Sequence, residues 1–183
     1  MRRFLLILPL VIFAISSAVQ ARPSQLPVPR VAPEWNVSEW FNSSPLQLSD
    51  LKGKVVVVDF FQLWWPGCNA FSIPLVDKWE KDFSSEVNKG LIKFVSIHTV
   101  FEGFDYQTPA KLKQFLRRKK IHHAVGVDRA IPGDRIPRTM RLYRTSGTPE
   151  IAIIDKKGII RFQEFGGFEF QPVERLIRRL LQE

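Results

Sequence analysis

Residues 54–68 read KVVVVDFFQLWWPGC, and this stretch decides the fold. Four valines followed by two phenylalanines are typical of a strand that is buried on both faces. Pro66-Gly67 ends the strand, and a helix-compatible segment follows. A strand that delivers a cysteine to the start of a helix builds a thiol redox site, because the helix N-terminus stabilises a thiolate. A dithiol site also needs a cysteine three residues earlier, and that residue is Trp65.

The bulk composition predicts one globular domain with a basic surface. The chain has 183 residues, of which 45% are hydrophobic, enough for a full core. The formal net charge is +9, but the basic residues are spread along the chain, so we expect a solvated surface and no nucleic-acid partner. The single cysteine excludes an intramolecular disulfide, and His98, His122 and His123 have no thiol or carboxylate at ligand spacing. We therefore expect no metal and no cofactor.

The N-terminus has the pattern of a secretory signal peptide. Two arginines precede an apolar stretch, and the small residues that follow it allow cleavage after Ala21 or Ala18. We predict a signal peptide over 1–21, a proline-rich linker with little structure of its own over 22–33, and a single domain over 34–183. The protein would then be exported, either periplasmic or secreted. An uncleaved N-terminal segment that anchors it to the membrane is the alternative.

The rest of the chain alternates between strand and helix patterns. We predict strands over 54–61, 91–98, 124–128, 150–155 and 159–165. We predict helices over 67–83, with a kink at Pro74, and over 136–143. Two more helices are predicted to start at Thr108-Pro109 and at Gln171-Pro172. The first strand, helix and strand form a right-handed parallel unit, and the last two strands form a hairpin. The pattern predicts an α/β domain whose mixed sheet has a parallel βαβ unit first and an antiparallel ββα unit last.

Three stretches of the chain carry a family resemblance. In residues 59–68 an aspartate, two aromatics and a tryptophan precede the cysteine, residues 48–54 form a lead-in, and residues 147–158 contain a Thr-Pro loop and a hairpin. Together they resemble the thioredoxin superfamily, in particular its exported TlpA/ResA-like redoxin branch, over roughly residues 33–183. The resemblance implies a thioredoxin-like fold and thiol–disulfide exchange. In that reaction a first cysteine attacks a substrate disulfide and a second resolves the mixed disulfide.

The resemblance also implies roles for individual residues. Trp65 stands in the place of the attacking cysteine, and Cys68 matches the resolving one. Asp59 matches the buried acid that helps to move a proton at the resolving thiol. Pro149 matches the cis-proline that abuts the active site. Cys68 and Asp59 are therefore the candidate catalytic residues, although the motif is degenerate.

The absence of the first cysteine leaves three interpretations of Cys68. In the first interpretation Cys68 is an inert structural cysteine, because a thiol one turn into a helix is shielded and burial raises its pKa. A peroxidatic cysteine is the second, but positions 65 and 61 lack the Thr or Ser and the Pro found before such a cysteine. A mixed disulfide with glutathione or another chain is the third.

The tryptophan pair suggests a binding function as an alternative to redox chemistry. Adjacent indoles at a helix start form an aromatic patch that suits a protein partner. The predicted substrate groove comprises Trp64, Trp65, Pro66, Gly67, Thr148 and Pro149. Its partners would be protein thiols or disulfides, or another protein chain. Two plainer alternatives remain, in which Trp64 packs beneath the helix and His98 is a hydrogen-bonded core residue rather than a base.

Overall fold

The computed structural model describes residues 29–183. The predicted signal peptide and residues 22–28 of the predicted linker lie outside the described residues. Within the described part, no helix is long and apolar enough to cross a membrane.

Within residues 29–183, seven strands form one mixed sheet at the centre of the domain. They are β1 (Arg30–Val31), β2 (Val37–Phe41), β3 (Val55–Phe61), β4 (Ile92–His98), β5 (Ala124–Asp128), β6 (Glu150–Ile154) and β7 (Ile159–Phe165). Their order is β1-β7-β6-β3-β4-β5-β2. β3 pairs in parallel with β4 and antiparallel with β6, and β6 forms the antiparallel hairpin with β7. The predicted α/β fold with a mixed sheet is confirmed.

In the part of the chain that the structure describes, five α-helices pack around the sheet. They are α1 (Ile73–Asp82), α2 (Ser84–Asn88), α3 (Pro109–Lys119), α4 (Arg138–Tyr143) and α5 (Phe170–Gln182). The predicted helix over 67–83 is present, and its first part is a π-helical turn over Cys68–Ser72 that runs directly into α1. Pro74 lies in the turn of α1 that directly follows the π-helical turn.

The valine run of β3 divides the core into two layers. Successive side chains of a strand point to opposite faces, so Val55 and Val57 pack with Trp79 on one face. Val56 and Val58 belong to the cluster on the other face. Burial of each valine stabilises the fold by about 1.5–3 kcal/mol. Because β3 is a central strand, the segment that follows its C-terminal end lies in the middle of one end of the sheet.

The predicted linker overlaps the sheet, so the predicted boundary at residue 33 is wrong. Arg30–Val31 pairs antiparallel with β7, and Ala32 is buried. The Arg30 guanidinium donates to the Tyr143 carbonyl at 2.6 Å and to Gln163 Oε1 at 2.7 Å. Extended, proline-flanked chain suits an edge strand because little of its backbone has to be paired. The folded domain therefore begins at or before Arg30.

Candidate functional site

The candidate site lies where β3 ends and the π-helical turn begins, and Cys68 is its only thiol. The Cys68 side chain is buried, with 0% relative exposure. Its Sγ accepts the backbone N–H of Gln62 at 3.4 Å. Burial raises the pKa of the thiol to about 12, and the charge of Asp59 adds to this rise, while the Gln62 N–H and the Thr148 hydroxyl act in the opposite direction. At neutral pH, Cys68 is therefore a shielded, protonated thiol.

Asp59 is the buried acid of the site. It lies in the middle of the sheet with 1% relative exposure, and its Oδ1 has no hydrogen-bond partner. Burial raises its pKa from 3.8 to about 7, and weaker contributions from Ser72 and His123 oppose the rise. Asp59 therefore holds or releases its proton near neutral pH.

The groove residues predicted from the sequence lie together. A Cβ added to Gly67 would lie 3.0 Å from Trp65 Nε1 and 3.2 Å from Pro149 Cδ, so the indole and the proline both rest on this glycine. The Thr148-Pro149 peptide bond is cis. Pro66 is exposed at the rim. The absence of a side chain at Gly67 is what allows Trp65 to approach Pro149 so closely.

Both indoles of the groove are partly open to solvent. Trp64 is 43% exposed and Trp65 is 39% exposed, and their rings meet edge to face at 5.8 Å. Trp64 therefore does not pack beneath the helix. A Cβ added to Gly103 would lie 3.3 Å from Trp64 Nε1, so the Trp64 ring rests on the backbone of the loop between β4 and α3. Gly103 has a φ of 60°, a conformation that favours glycine.

This loop forms a second wall of the site, which the sequence analysis did not include. It carries Phe104, which is 52% exposed, next to the glycine that supports Trp64. Its aromatic residues were visible in the sequence, but nothing in the local pattern indicated that the loop returns to the tryptophan pair. The site therefore has an aromatic surface made of Trp64, Trp65 and Phe104.

A buried amide network joins the two walls, and it was also missed. The Gln62 side chain donates to Thr148 Oγ1 at 3.2 Å and to Glu102 Oε1 at 3.3 Å, and its Oε1 accepts from Gln107. Gln107 Nε2 also donates to the Glu102 carbonyl at 2.7 Å. The one feature of the sequence that pointed to this network was a polar residue, Gln62, directly after a largely apolar strand. The network ties the loop that supports Trp64 to the loop that contains Pro149.

His98 belongs to this network. Its Nε2 lies 3.2 Å from Gln107 Oε1, and its side chain is buried. Burial lowers the pKa of the imidazole to about 4, so the ring is neutral at neutral pH. His98 is thus a hydrogen-bonded core residue.

A cavity lies beside the groove, and the described residues form no metal site. Among residues 29–183, no group of histidine, cysteine and acidic side chains is arranged to hold a metal ion. A cavity of about 350 Å³ opens beside Glu150, between Arg30 and Phe165. It is lined by residues of β6, β7 and the end of α4, so it lies next to the groove rather than over Cys68.

Comparisons with known proteins agree with this geometry. A sequence model of the AhpC/TSA family matches residues 28–163. The crystal structure of a thioredoxin-like superfamily protein is 39% identical, has a TM-score of 0.79, and covers 84% of this chain and 97% of its own. A thiol-disulfide isomerase from Corynebacterium glutamicum is 38% identical, has a TM-score of 0.76, and covers 83% of this chain and 97% of its own.

The curated relatives are much longer proteins. Protein DipZ of Mycobacterium bovis and that of Mycobacterium tuberculosis are each 26% identical over 150 residues, which is 80% of this chain. The match spans 20% of the relative's length. The chain therefore corresponds to about one fifth of those proteins.

Proposed function

Because the chain belongs to the AhpC/TSA family of redoxins, we propose that it is an exported thioredoxin-fold protein that binds segments of other proteins in its groove without dithiol exchange. The groove consists of Trp64, Trp65, Pro66, Gly67, Thr148 and Pro149. The bound partners are protein chains, including those that carry thiols or disulfides, as the thiol–disulfide oxidoreductase relationship suggests.

One observation carries the proposal, namely the burial of the only thiol beneath an open aromatic surface. Cys68 has 0% exposure and a pKa of about 12, so it offers a substrate disulfide no thiolate. Position 65, where attack would occur, presents an indole that is 39% exposed. Tryptophan is one of the three residue types enriched among the side chains that dominate binding to a protein partner.

The amide network supports a groove that is formed before binding. Gln62 and Gln107 hold the two loops together through buried hydrogen bonds, so the aromatic surface needs little ordering when a partner arrives. A site that is already ordered binds more tightly because less conformational entropy is lost. The network would therefore favour binding even though no covalent step follows.

Removal of one indole is expected to weaken binding strongly. The probe is a fluorescein-labelled insulin B chain with both cysteines alkylated, and fluorescence anisotropy measures its dissociation constant. Trp65→Ala should raise that constant by about 30-fold, the effect of losing a tryptophan contact worth about 2 kcal/mol. Leu142→Ala is the matched control, because Leu142 is 47% exposed and lies on α4. Equal losses in the two variants, or no binding by the wild type, would contradict the proposal.

A second candidate function is redox chemistry through Cys68 alone. The observation that favours it is the pKa of Asp59, which lies near 7. At that pKa the carboxylate can accept a proton at neutral pH, and its charge acts on the thiol of Cys68. This function requires that the groove opens to expose the sulfur. It would use a mixed disulfide with glutathione or with a second protein.

Thiol labelling separates the two candidates. If Cys68 is inert, N-ethylmaleimide at pH 7 should leave the native protein unmodified over several hours and label it fully in denaturant, because only the unfolded chain exposes the sulfur. Intact-mass measurement follows the adduct. Labelling of the native protein within minutes, or a glutathione adduct in protein isolated without reductant, would favour the lone-thiol function.

Export is the remaining part of the proposal. It is supported by the signal-peptide pattern of residues 1–21. Sequencing of the N-terminus of the purified mature protein tests it, since cleavage after Ala21 would leave Arg22 as the first residue.

A further inference from the structure

The loop that carries Pro149 begins and ends against one glutamine of β7. It spans residues 144–149, between Tyr143 at the end of α4 and Glu150 at the start of β6. The side-chain nitrogen of Gln163 donates to the Tyr143 carbonyl at 3.0 Å and also to Glu150 Oε1. A single amide group therefore holds both ends of the loop.

Glu150 also holds the middle of this loop. Its Oε2 accepts the backbone N–H of Ser146 at 2.8 Å. Glu150 is buried, with 3% relative exposure, and burial raises its pKa. Hydrogen bonds from Gln163 and Ser146 act in the opposite direction, because they stabilise the carboxylate. The position of the loop and the ionised state of Glu150 therefore support each other.

Arg30 of β1 fixes the orientation of the glutamine. Its Nη2 donates to Gln163 Oε1 at 2.7 Å. Because a guanidinium has no acceptor, the oxygen of the amide faces Arg30 and its nitrogen faces Glu150. The same Nη2 donates at 2.6 Å to the carbonyl of Tyr143, the last residue of α4, where the helix itself supplies no donor. Arg30 therefore acts on the start of the loop directly and on its end through Gln163.

Two further hydrogen bonds hold the last two residues of the loop. The Thr148 hydroxyl accepts from Gln62 at 3.2 Å, and the Pro149 carbonyl accepts the backbone N–H of Gly166 at 2.8 Å. Neither bond involves Ser146. The backbone N–H of Ser146 therefore reports on its contact with Glu150.

We propose that Arg30 is a positioning residue of the groove, which fixes the loop of Pro149 through Gln163 and Glu150. Pro149 forms one side of the groove, close to the indole of Trp65. Without the guanidinium, the amide of Gln163 can turn over and bring its oxygen to the Glu150 carboxylate, where two acceptors repel each other. This inference rests on the proposed binding function, since it assigns a role in that groove to a side chain of the N-terminal edge strand.

Amide hydrogen exchange measured by NMR tests the effect of Arg30 on the loop. Arg30→Leu should speed exchange of the Ser146 N–H by about 5- to 10-fold, the effect of losing one hydrogen bond. The Ala32 N–H, which donates to the Gly158 carbonyl at 2.8 Å, shows in the same spectra whether β1 is still paired with β7. Gln163→Leu is the second variant, because it breaks the same route and leaves Arg30 in place.

Arg129→Leu is the matched control, because Arg129 holds β2 at the opposite edge of the sheet with the same kinds of bond. Its guanidinium donates to the Asn36 side-chain oxygen at 2.7 Å and to the Val37 carbonyl at 2.9 Å. This variant should leave exchange at Ser146 unchanged. Unchanged exchange at Ser146 in a folded Arg30→Leu variant would overturn the inference. If β1 separates from β7 in that variant, unchanged exchange in Gln163→Leu would overturn it.

Binding of the alkylated insulin B chain tests the consequence for the groove. Arg30→Leu and Gln163→Leu should each raise the dissociation constant by about fivefold, and the double variant no further, because both act on one route. Arg129→Leu should leave it unchanged. Faster exchange at Ser146 with an unchanged dissociation constant would overturn the role of Arg30 in the groove. Failure of the wild type to bind the probe would contradict the proposed function, and the exchange data would still decide whether Arg30 fixes the loop.

Discussion

Trp65→Cys is expected to turn the protein into an active disulfide reductase. The variant places a thiol at the start of the helix, three residues before Cys68, so the two can attack and resolve in turn. Such a thiol with a pKa near 7 is about half ionised at pH 7, whereas a thiol with the pKa of Cys68, about 12, is ionised to about one part in 10⁵. The more acidic thiolate is less nucleophilic, which leaves a net gain on the order of 10²- to 10³-fold.

Insulin reduction followed by turbidity measures this gain. Trp65→Ser is the matched control, because it removes the indole without adding a thiol, and it should remain inactive. Trp65→Cys combined with Cys68→Ser should form a mixed disulfide but turn over poorly. A folded Trp65→Cys variant with no reductase activity would show that the substitution at position 65 is not what separates this chain from an active reductase.

Asp59→Asn is expected to stabilise the protein at neutral and alkaline pH. The pKa of Asp59 is about 7 in the folded protein and 3.8 as the reference for the unfolded chain. Between these values the folded state holds a proton that the unfolded state has lost, so the free energy of unfolding falls as the pH rises. The fall is complete above pH 7. About three pH units at 1.36 kcal/mol each give on the order of 4 kcal/mol.

Urea denaturation at several pH values checks the size and the sign of this effect. The gain from Asp59→Asn should be on the order of 4 kcal/mol at pH 8 and about 1 kcal/mol at pH 4.5. Asp77→Asn is the control on the exposed face of α1, where its ion pair with Lys81 is worth at most about 1 kcal/mol. A gain that does not grow with pH would contradict a protonated, buried Asp59.

The sequence was sufficient for the fold because its strongest signals were local. The valine run of β3, the Lys156-Lys157-Gly158 turn and the proline at the start of α3 each specify their own element. Hydrophobic period and turn chemistry act over a few residues, so they can be identified without any knowledge of the rest of the chain. The order of these elements then left few topologies to consider.

Only part of the site could be predicted, because the rest is formed by contacts between residues that are far apart in the sequence. Trp64, Trp65 and Cys68 are neighbours in the chain, whereas Gln62 and Gln107 meet across 45 residues. The π-helical turn after Gly67 was not predictable either, since its residues also suit an α-helix. The pairing of Arg30–Val31 with β7 was hidden by the prolines around it, which resemble a linker when considered alone.

The two glycines beneath the indoles have a consequence for how this surface varies between related proteins. Trp64 rests on Gly103 and Trp65 rests on Gly67, so the position of each ring is set by a residue that a bound partner need never touch. A larger residue at either glycine would displace an aromatic ring while every residue of the aromatic surface stayed the same. Homologues that share both tryptophans therefore share this surface only if they also share the two positions beneath it.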